Sequence, residues 1–344
     1  MTSPSELRKD PVSGRWVIIA SERSKRPDDF RPAKTAEQPR GPSAFCPFCA
    51  GNEAKTPPEI FSLSGPPAAP GAPPSWRIRV VPNKFPAVSR GEAPVRVRRG
   101  LFESMPGIGV HEVVIESPEH DREMADLPVD HIRDILATYQ ARLRSIGTEP
   151  QYAYIQLFKN KGMEAGASLS HPHTQIVAVP IIPKRVKEEI YSSERFHRRT
   201  GGCLFCQSLA EELKAGERIV LKNAHFAAVE PFASRFPFET RIFPLRHAPF
   251  FGSAGPEEIA ALAETLLTVL AKLKSLLADP AYNLVLHQSP NLVCARRLWP
   301  EIERISHWYM EIIPVLTHVA GFEWGTGFYI NPVAPESAAK FLRD

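Results

Sequence analysis

An α+β fold built twice over is what this sequence predicts, and three observations carry that expectation. Runs rich in β-formers alternate with two long helical patterns, both halves keep the same order of runs, and each half holds one Cys-x-x-Cys pair followed by two histidines. In the first half, Gly14 to Ala20, Ser75 to Val81, Val110 to Glu116, Tyr152 to Phe158 and Thr174 to Ile182 are dense in Val, Ile and aromatics and read as strands. Leu127 to Ile146 spaces its apolar residues for one helical face. The second half repeats this order. Arg218 to Val229, Phe238 to Phe243, Tyr282 to His287 and Trp308 to Val315 read as strands, with a long helix from Pro256 to Leu277.

Two breaks organise the chain. Pro39 to Pro74 is so rich in Pro and Gly that it predicts a long loop, since proline removes a donor and fixes φ; this loop holds the first cysteine pair. From Pro183 to Gly202 apolar patterning gives way to charge, which places a domain boundary there, between units 1–190 and 191–344. A chain of 344 residues has room for two such cores.

Composition excludes several classes of function. No apolar run approaches the roughly eighteen residues that would cross a bilayer, so no membrane role is expected. The net charge of +4 is small and the signs are interspersed, which argues against an extended nucleic-acid surface. Met1 to Gly14 lacks the basic segment and apolar core of a secretory signal, so a cytoplasmic location is the expectation. In that compartment two Cys-x-x-Cys pairs plus a single Cys294 point to metal or redox chemistry over a disulfide framework.

The landmarks are Cys46, Cys49, His120 and His171 in the first half, and Cys203, Cys206, His247 and His307 in the second. A Cys-x-x-Cys turn presents two sulfurs to one ion, and Zn²⁺ favours four tetrahedral ligands of thiolate and imidazole, giving about two zinc ions per chain. His111 and His225 also lie near strands and compete for the imidazole places; His120 and His247 are preferred because each follows a strand, in Ser-Pro-Glu-His120 and Pro-Leu-Arg-His247.

The richest segment runs Phe158-Lys-Asn160-Lys-Gly162, then Gly166-Ala-Ser168-Leu-Ser-His171-Pro-His173-Thr-Gln175. Its small residues allow a phosphate close to backbone N–H groups. His171 and His173 share a strand face, so one ring can ligate while the other meets an α-phosphorus. A neutral imidazole is a competent nucleophile once its second nitrogen donates to a fixed acceptor, here a backbone carbonyl near His171. Gln175, on the same face, can donate to a phosphate oxygen as charge develops.

This segment resembles the active-site signature of the galactose-1-phosphate uridylyltransferases, a branch of the histidine triad superfamily. Asp10-Pro-x-x-Gly14-x-Trp16, Arg23-x-x-Arg26-Pro27, Cys46-x-x-Cys49-x-Gly51-Asn52, Asn83-x-Phe85 and Pro237-Phe-Glu-Thr240 extend the resemblance over nearly the whole chain. It implies a duplicated histidine-triad fold, each half a mostly antiparallel sheet with flanking helices, in a homodimer with shared active sites. It further implies that His173 becomes nucleotidylated, that His171 ligates zinc with Cys46, Cys49 and His120, and that Gln175 binds the phosphoryl group. Asn160, Gly166 and Ser168 would contact phosphates, Asn83 and Phe85 the nucleoside, and Arg23 and Arg26 would be donated to the site.

The departures are specific. Family members with an iron-type second site place histidines just after the tryptophan that here is Trp308, whereas this chain reads His307-Trp-Tyr-Met-Glu-Ile. Cys203, Cys206, His247 and His307 instead resemble the second zinc site of the ADP-glucose phosphorylase branch, as does Gly321-Phe-Glu323-Trp-Gly-Thr-Gly327-x-Tyr329-Ile-Asn331-Pro332. Gly321 and Glu323 are common to both branches and are assigned to substrate binding by resemblance. The expected activity is ping-pong nucleotidyl transfer between a nucleotide sugar and a sugar 1-phosphate or inorganic phosphate. Uridylyl exchange between UDP-glucose and a hexose 1-phosphate, in galactose metabolism, is the first choice. ADP-glucose phosphorolysis and dinucleoside polyphosphate phosphorolysis are enzymatic alternatives, and a zinc-ribbon binding module is the non-enzymatic one.

Overall fold

The computed structural model describes residues 5–20, 26–30, 45–65 and 76–344. Strands β1 (Glu6–Lys9) and β2 (Trp16–Ile19) open the chain; β3 (Phe61–Ser64) and β4 (Trp76–Pro82) follow the first cysteine pair. A small hairpin, β5 (Val97–Arg99) and β6 (Phe102–Ser104), precedes β7 (Val110–Ile115). Helix α1 (Val129–Gly147) then leads to β8 (Tyr154–Lys161) and β9 (His173–Val179). After helices α2 (Lys184–Thr200) and α3 (Leu204–Ala215) come β10 (Ile219–Lys222), β11 (Phe226–Val229) and β12 (Thr240–Pro244). Helix α4 (Pro256–Leu276) precedes β13 (Tyr282–His287); short helices α5 (Leu292–Leu298) and α6 (Ile302–Ile305) precede β14 (Tyr309–Pro314). Helix α7 (Gly321–Thr326), β15 (Tyr329–Asn331) and α8 (Pro335–Arg343) complete the chain.

Ten of these strands form one antiparallel sheet in the order β10-β11-β12-β14-β13-β8-β9-β7-β4-β3. Outward from the β8–β13 seam, the two sides match: β8, β9, β7, β4, β3 on one, and β13, β14, β12, β11, β10 on the other. The repeat in the sequence is thus a repeat in space, and the fold is α+β with mostly antiparallel sheet and flanking helices. The division at 190 falls inside α2, and the sheet passes from one half to the other without interruption.

Strand alternation sorts the chemistry onto one face. Thr174, Ile176 and Ala178 of β9 turn toward α1, and Leu284 and Leu286 of β13 join the same apolar cluster. That cluster is continuous across both halves, and α1 and α4 pack against each other over it. Helix α1 contributes Ile132, Ile135, Leu136, Tyr139 and Leu143, one helical face, as its periodicity predicted. Helix α4 starts cleanly, with Pro256 in its first turn and Glu258 Oε2 accepting from Gly255 N–H at 2.9 Å. His173 and Gln175 alternate with these core residues and lie on the opposite face of the sheet.

Three local expectations are corrected. Residues 183–202, read as a charged break, form α2: its carboxylates and cations are paired at i,i+4, as in Lys184–Glu188 and Glu194–Arg198, while Ile190 turns inward. Arg218 to Val229 is two strands, because Asn223 Oδ1 accepts from the N–H groups of His225 and Phe226 and turns the chain. Within the stretch read as a loop, Phe61–Ser64 pairs with β4 as the edge strand β3. No described helix is long and apolar enough to cross a membrane.

Behind β9 the helix-facing side holds a fully buried ion pair. Lys159 Nζ donates to Glu116 Oε2 at 2.8 Å, and neither side chain has measurable exposure. Burial alone would depress the Lys159 ammonium, but Glu116 and Glu123 outweigh it and hold its pKa up. Glu116 Oε1 accepts from Tyr139 Oη at 2.9 Å and Thr174 Oγ1 at 2.6 Å. Removing one partner of such a pair strands a charge, so Lys159→Met is expected to lower stability by about 3–5 kcal/mol. Adding Glu116→Gln should recover part of the loss; urea unfolding in which Lys159→Met costs under about 1 kcal/mol would contradict this account.

Candidate active site

Each Cys-x-x-Cys turn meets two histidines carried by the sheet. Cys46, Cys49, His120 and His171 bring their ligand atoms within 4.8 Å of one another, and Cys203, Cys206, His247 and His307 do the same in the second half. His120 follows β7 and His247 follows β12, while His171 and His307 each lie two residues before the strand that follows. His111 and His225, the competing imidazoles, belong to neither cluster.

The tautomers suit metal ligation. His171 Nε2 contacts the Ser117 carbonyl at 2.8 Å, and His307 Nε2 the Pro244 carbonyl at 3.0 Å. His247 Nε2 lies 2.8 Å from the Glu303 carbonyl, and His120 Nε2 lies 3.0 Å from Ser170 Oγ. A carbonyl can only accept, so Nε2 of His171, His307 and His247 carries the proton and leaves the Nδ1 lone pair to the cysteines; a hydroxyl can also accept, so His120 Nε2–H can donate to Ser170 Oγ in the same sense. Those Nδ1 atoms lie 3.2 Å (His120) and 3.7 Å (His171) from Cys49 Sγ, and 3.3 Å from Cys206 Sγ in both second-half rings. Burial pushes His171 down to about 4, keeping it neutral at pH 7. Two soft thiols and two neutral imidazoles form a closed set that fits a structural tetrahedral ion.

His173 begins β9 one strand position from this cluster. Its Nδ1 lies 2.8 Å from the His171 carbonyl, so Nδ1–H donates there and the Nε2 lone pair is left over. Burial, to which the Lys159 charge adds, holds its pKa below the ordinary histidine value. The ring lines a cavity of about 380 Å³ together with Gln175, Ser168, Asn83, Phe85 and Lys55. Lys84 and Thr56 line it too, so two lysines border a space next to a neutral imidazole. Such a cavity suits an anion flanked by an apolar or aromatic group.

The approach loop is shaped by two glycines in the left-handed region, Gly162 at φ 85° and Gly166 at φ 87°. Asn160 contacts the Gly166 carbonyl through Nδ2 at 3.5 Å, and Asn283 from β13 donates to Asn160 Oδ1 at 2.9 Å and to the Ala165 carbonyl at 2.8 Å. Asn160 and Gly166 therefore hold the loop in place rather than line the cavity.

Of the residues singled out by sequence, His173, Gln175, Ser168, Asn83 and Phe85 meet in this one cavity. Among the described residues, Arg26, Gly321 and Glu323 lie elsewhere. Arg26 N–H donates to Asp29 Oδ2 at 2.7 Å in a turn, and Glu323 Oε2 accepts from Ala320 N–H at 3.0 Å, capping the short helix that Gly321 begins. Arg23 lies outside the described residues. Sequence reasoning missed Lys55, Thr56 and Lys84, which sit in loops without a repeating signal, and the ion pair behind the site. A lone Glu116 and a lone Lys159 within apolar runs were the available clue.

The second half offers the corresponding strand positions with different side chains. Tyr309 stands two residues after His307, where His173 stands after His171, and Glu311 stands where Gln175 does. Tyr309 is stacked on His287 at 4.3 Å between centroids and packed against Phe205 and Phe243. Burial pushes its phenol up, and Glu311 is tied to Arg235 at 2.8 Å and Arg241 at 2.9 Å. Helix α3 packs on this face through Leu204, Phe205 and Leu209.

Comparison with known proteins agrees with this arrangement. A family model described as galactose-1-phosphate uridyl transferase, N-terminal domain, matches residues 72–183. The chain is 38% identical to ADP-glucose phosphorylase of Arabidopsis thaliana, over 98% of this chain and 92% of that one. It is 30% identical to galactose-1-phosphate uridylyltransferase of Thermotoga maritima, over 98% of each. The crystal structure of an ADP-glucose phosphorylase from Arabidopsis thaliana with bound ADP-glucose superposes with a TM-score of 0.80 at 36% identity, covering 99% of both chains. Similarity along the whole length, joined to the doubled sheet, identifies the chain as an enzyme of the galactose-1-phosphate uridylyltransferase family of nucleotidyltransferases.

Proposed function

We propose that this enzyme moves a nucleoside monophosphate from a nucleotide sugar to a second phosphate through a covalent adduct on His173. The observation that carries the reading is the His173 ring itself: buried, neutral, bonded through Nδ1 to the His171 carbonyl, and lining a cavity with Gln175, Lys55 and Lys84. In the first step Nε2 attacks the α-phosphorus, the bond from phosphorus to the sugar-phosphate oxygen breaks, and sugar 1-phosphate departs. In the second, an oxygen of the acceptor phosphate attacks the same phosphorus and His173 leaves, restored. Gln175 donates to the equatorial oxygens, Ser168 and the approach loop hold the phosphates, and the lysines offset their charge. Asn83 and Phe85 take the nucleoside. A zinc-ribbon binding module would leave this cavity and His173 unused.

Zinc is the ion we assign to both Cys₂His₂ clusters, on the softness and number of their donors. The first holds His171, and through its carbonyl it fixes the His173 tautomer. Adenylyl transfer from ADP-glucose to inorganic phosphate is the reading that similarity favours, through the 38% identical relative, the structure with bound ADP-glucose and the Cys₂His₂ form of the second cluster. Uridylyl transfer between UDP-glucose and galactose 1-phosphate is the second reading, favoured by the family model and the Thermotoga maritima relative. We further assign the working form as a cytoplasmic homodimer, in which a second copy supplies Arg23, Arg26, Gly321 and Glu323, residues remote from or undescribed at the His173 cavity within one chain.

Three outcomes test these assignments. His173→Gly should lower transfer by more than about a thousandfold while leaving thermal unfolding nearly unchanged. Mass spectrometry of protein treated with nucleotide sugar should find an acid-labile adduct on the peptide holding His173, and its persistence in the variant would remove His173 from the mechanism. Elemental analysis should give about two zinc ions per chain, falling to about one in Cys203→Ser/Cys206→Ser with loss of C-terminal stability; unchanged zinc in that variant would refute the second site. Finally, kcat/KM for ADP-glucose with phosphate should exceed that for UDP-glucose with galactose 1-phosphate by about a hundredfold, the discrimination available to a site that hydrogen-bonds one partner and leaves groups unpaired with the other. The reverse ratio would favour the second reading and leave His173 untouched.

A further inference from the structure

An amide has two unlike ends. Gln175 lies on the His173 face of β9, and only its NH₂ end can help a phosphoryl group; its carbonyl oxygen would repel one. Packing alone distinguishes the two ends poorly, so something must turn the amide. His111, on the neighbouring strand β7, places Nε2 2.8 Å from Gln175 Oε1.

The backbone decides which nitrogen of His111 carries the proton. Ala87 N–H points at His111 Nδ1 from 3.1 Å. A peptide N–H only donates, so Nδ1 presents its lone pair and the ring proton sits on Nε2. Nε2–H then donates to Gln175 Oε1, which leaves the Gln175 NH₂ for the cavity.

We infer that His111 is a positioning residue, locked by the Ala87 amide, that presents Gln175 as a hydrogen-bond donor to the nucleoside phosphate. It lies outside the cavity lining and acts through that amide. The kinetic part of this inference rests on the His173 reading above; the proton's position on the ring does not.

The test has two arms. In single-turnover nucleotidylation with labelled ADP-glucose and labelled UDP-glucose, His111→Phe should slow adduct formation by about 10- to 100-fold, below the loss from deleting a donor outright. His111→Gln, whose terminal NH₂ can reach the position of Nε2–H, should recover most of that rate. In a Gln175→Ala background His111→Phe should change the rate by less than about threefold, because the group it turns is gone. Equal losses in both backgrounds, or a glutamine variant as slow as phenylalanine, would overturn the inference. The second arm is ¹⁵N NMR of histidine-labelled wild-type protein: His111 should show a protonated Nε2 and an unprotonated Nδ1, and the opposite tautomer would overturn it. If wild-type enzyme forms no adduct on His173, the functional reading fails and the NMR arm alone decides His111.

Discussion

The carboxylate of Glu116 is cut off from water, and the way it is satisfied fixes the elements around His173. Glu116 directly follows β7, yet its oxygens bind Tyr139 of α1, Thr174 of β9 and Lys159 of β8, while its own carbonyl accepts from His131 Nε2 at 2.7 Å. An unpaired carboxylate at that depth would cost several kcal/mol, so any shift of β8, β9 or α1 relative to β7 is penalised at once. Thr174 sits between His173 and Gln175, so fixing its side chain on one face fixes theirs on the other. The precision of this strand is thus set from behind, by a group on the opposite face of the sheet from His173.

From the open face the same strand is held by the cysteine cluster. His171 is fixed by the Ser117 carbonyl and stands beside Cys49, and its own carbonyl receives the His173 proton. The second half has the cluster too, but there Tyr309 takes the place of His173, Glu311 is paired with two arginines, and α3 packs on the face. The two halves therefore differ at this face by a few side chains and one packed helix, on the same strand order.

Much of this was written locally. The doubled Cys, Cys, His, His order gave both clusters, and the His173-x-Gln175 spacing put two polar side chains on one strand face, because alternation along a strand is a property of neighbours in sequence; His171 lies just ahead of that strand. Helix α2 escaped because its i,i+4 charge pairs hide a narrow apolar face, with Ile190 its buried apolar side chain. His111 escaped as a partner of Gln175 because their meeting depends on the antiparallel register of β7 against β9, which places Glu112 opposite Ile176 across sixty-four positions of chain. Periodicity says which face a residue occupies; it does not say who stands opposite. Lys55 and Lys84 escaped for a related reason, since loops bring them to the cavity without any period to read.

The central seam has a further consequence for how the chain is inherited as one piece. β8 and β13 meet in the middle of the sheet, with Asn160 opposite Asn283 and Leu157 opposite Leu286. Either half made alone would end in a bare strand with a full row of free N–H and C=O groups and an apolar face, the kind of edge that recruits other chains and aggregates. Asn283, moreover, belongs to the second half and buttresses the approach loop of the first. The duplicate is thereby bound to its twin as sheet partner and brace, whatever chemistry either half performs.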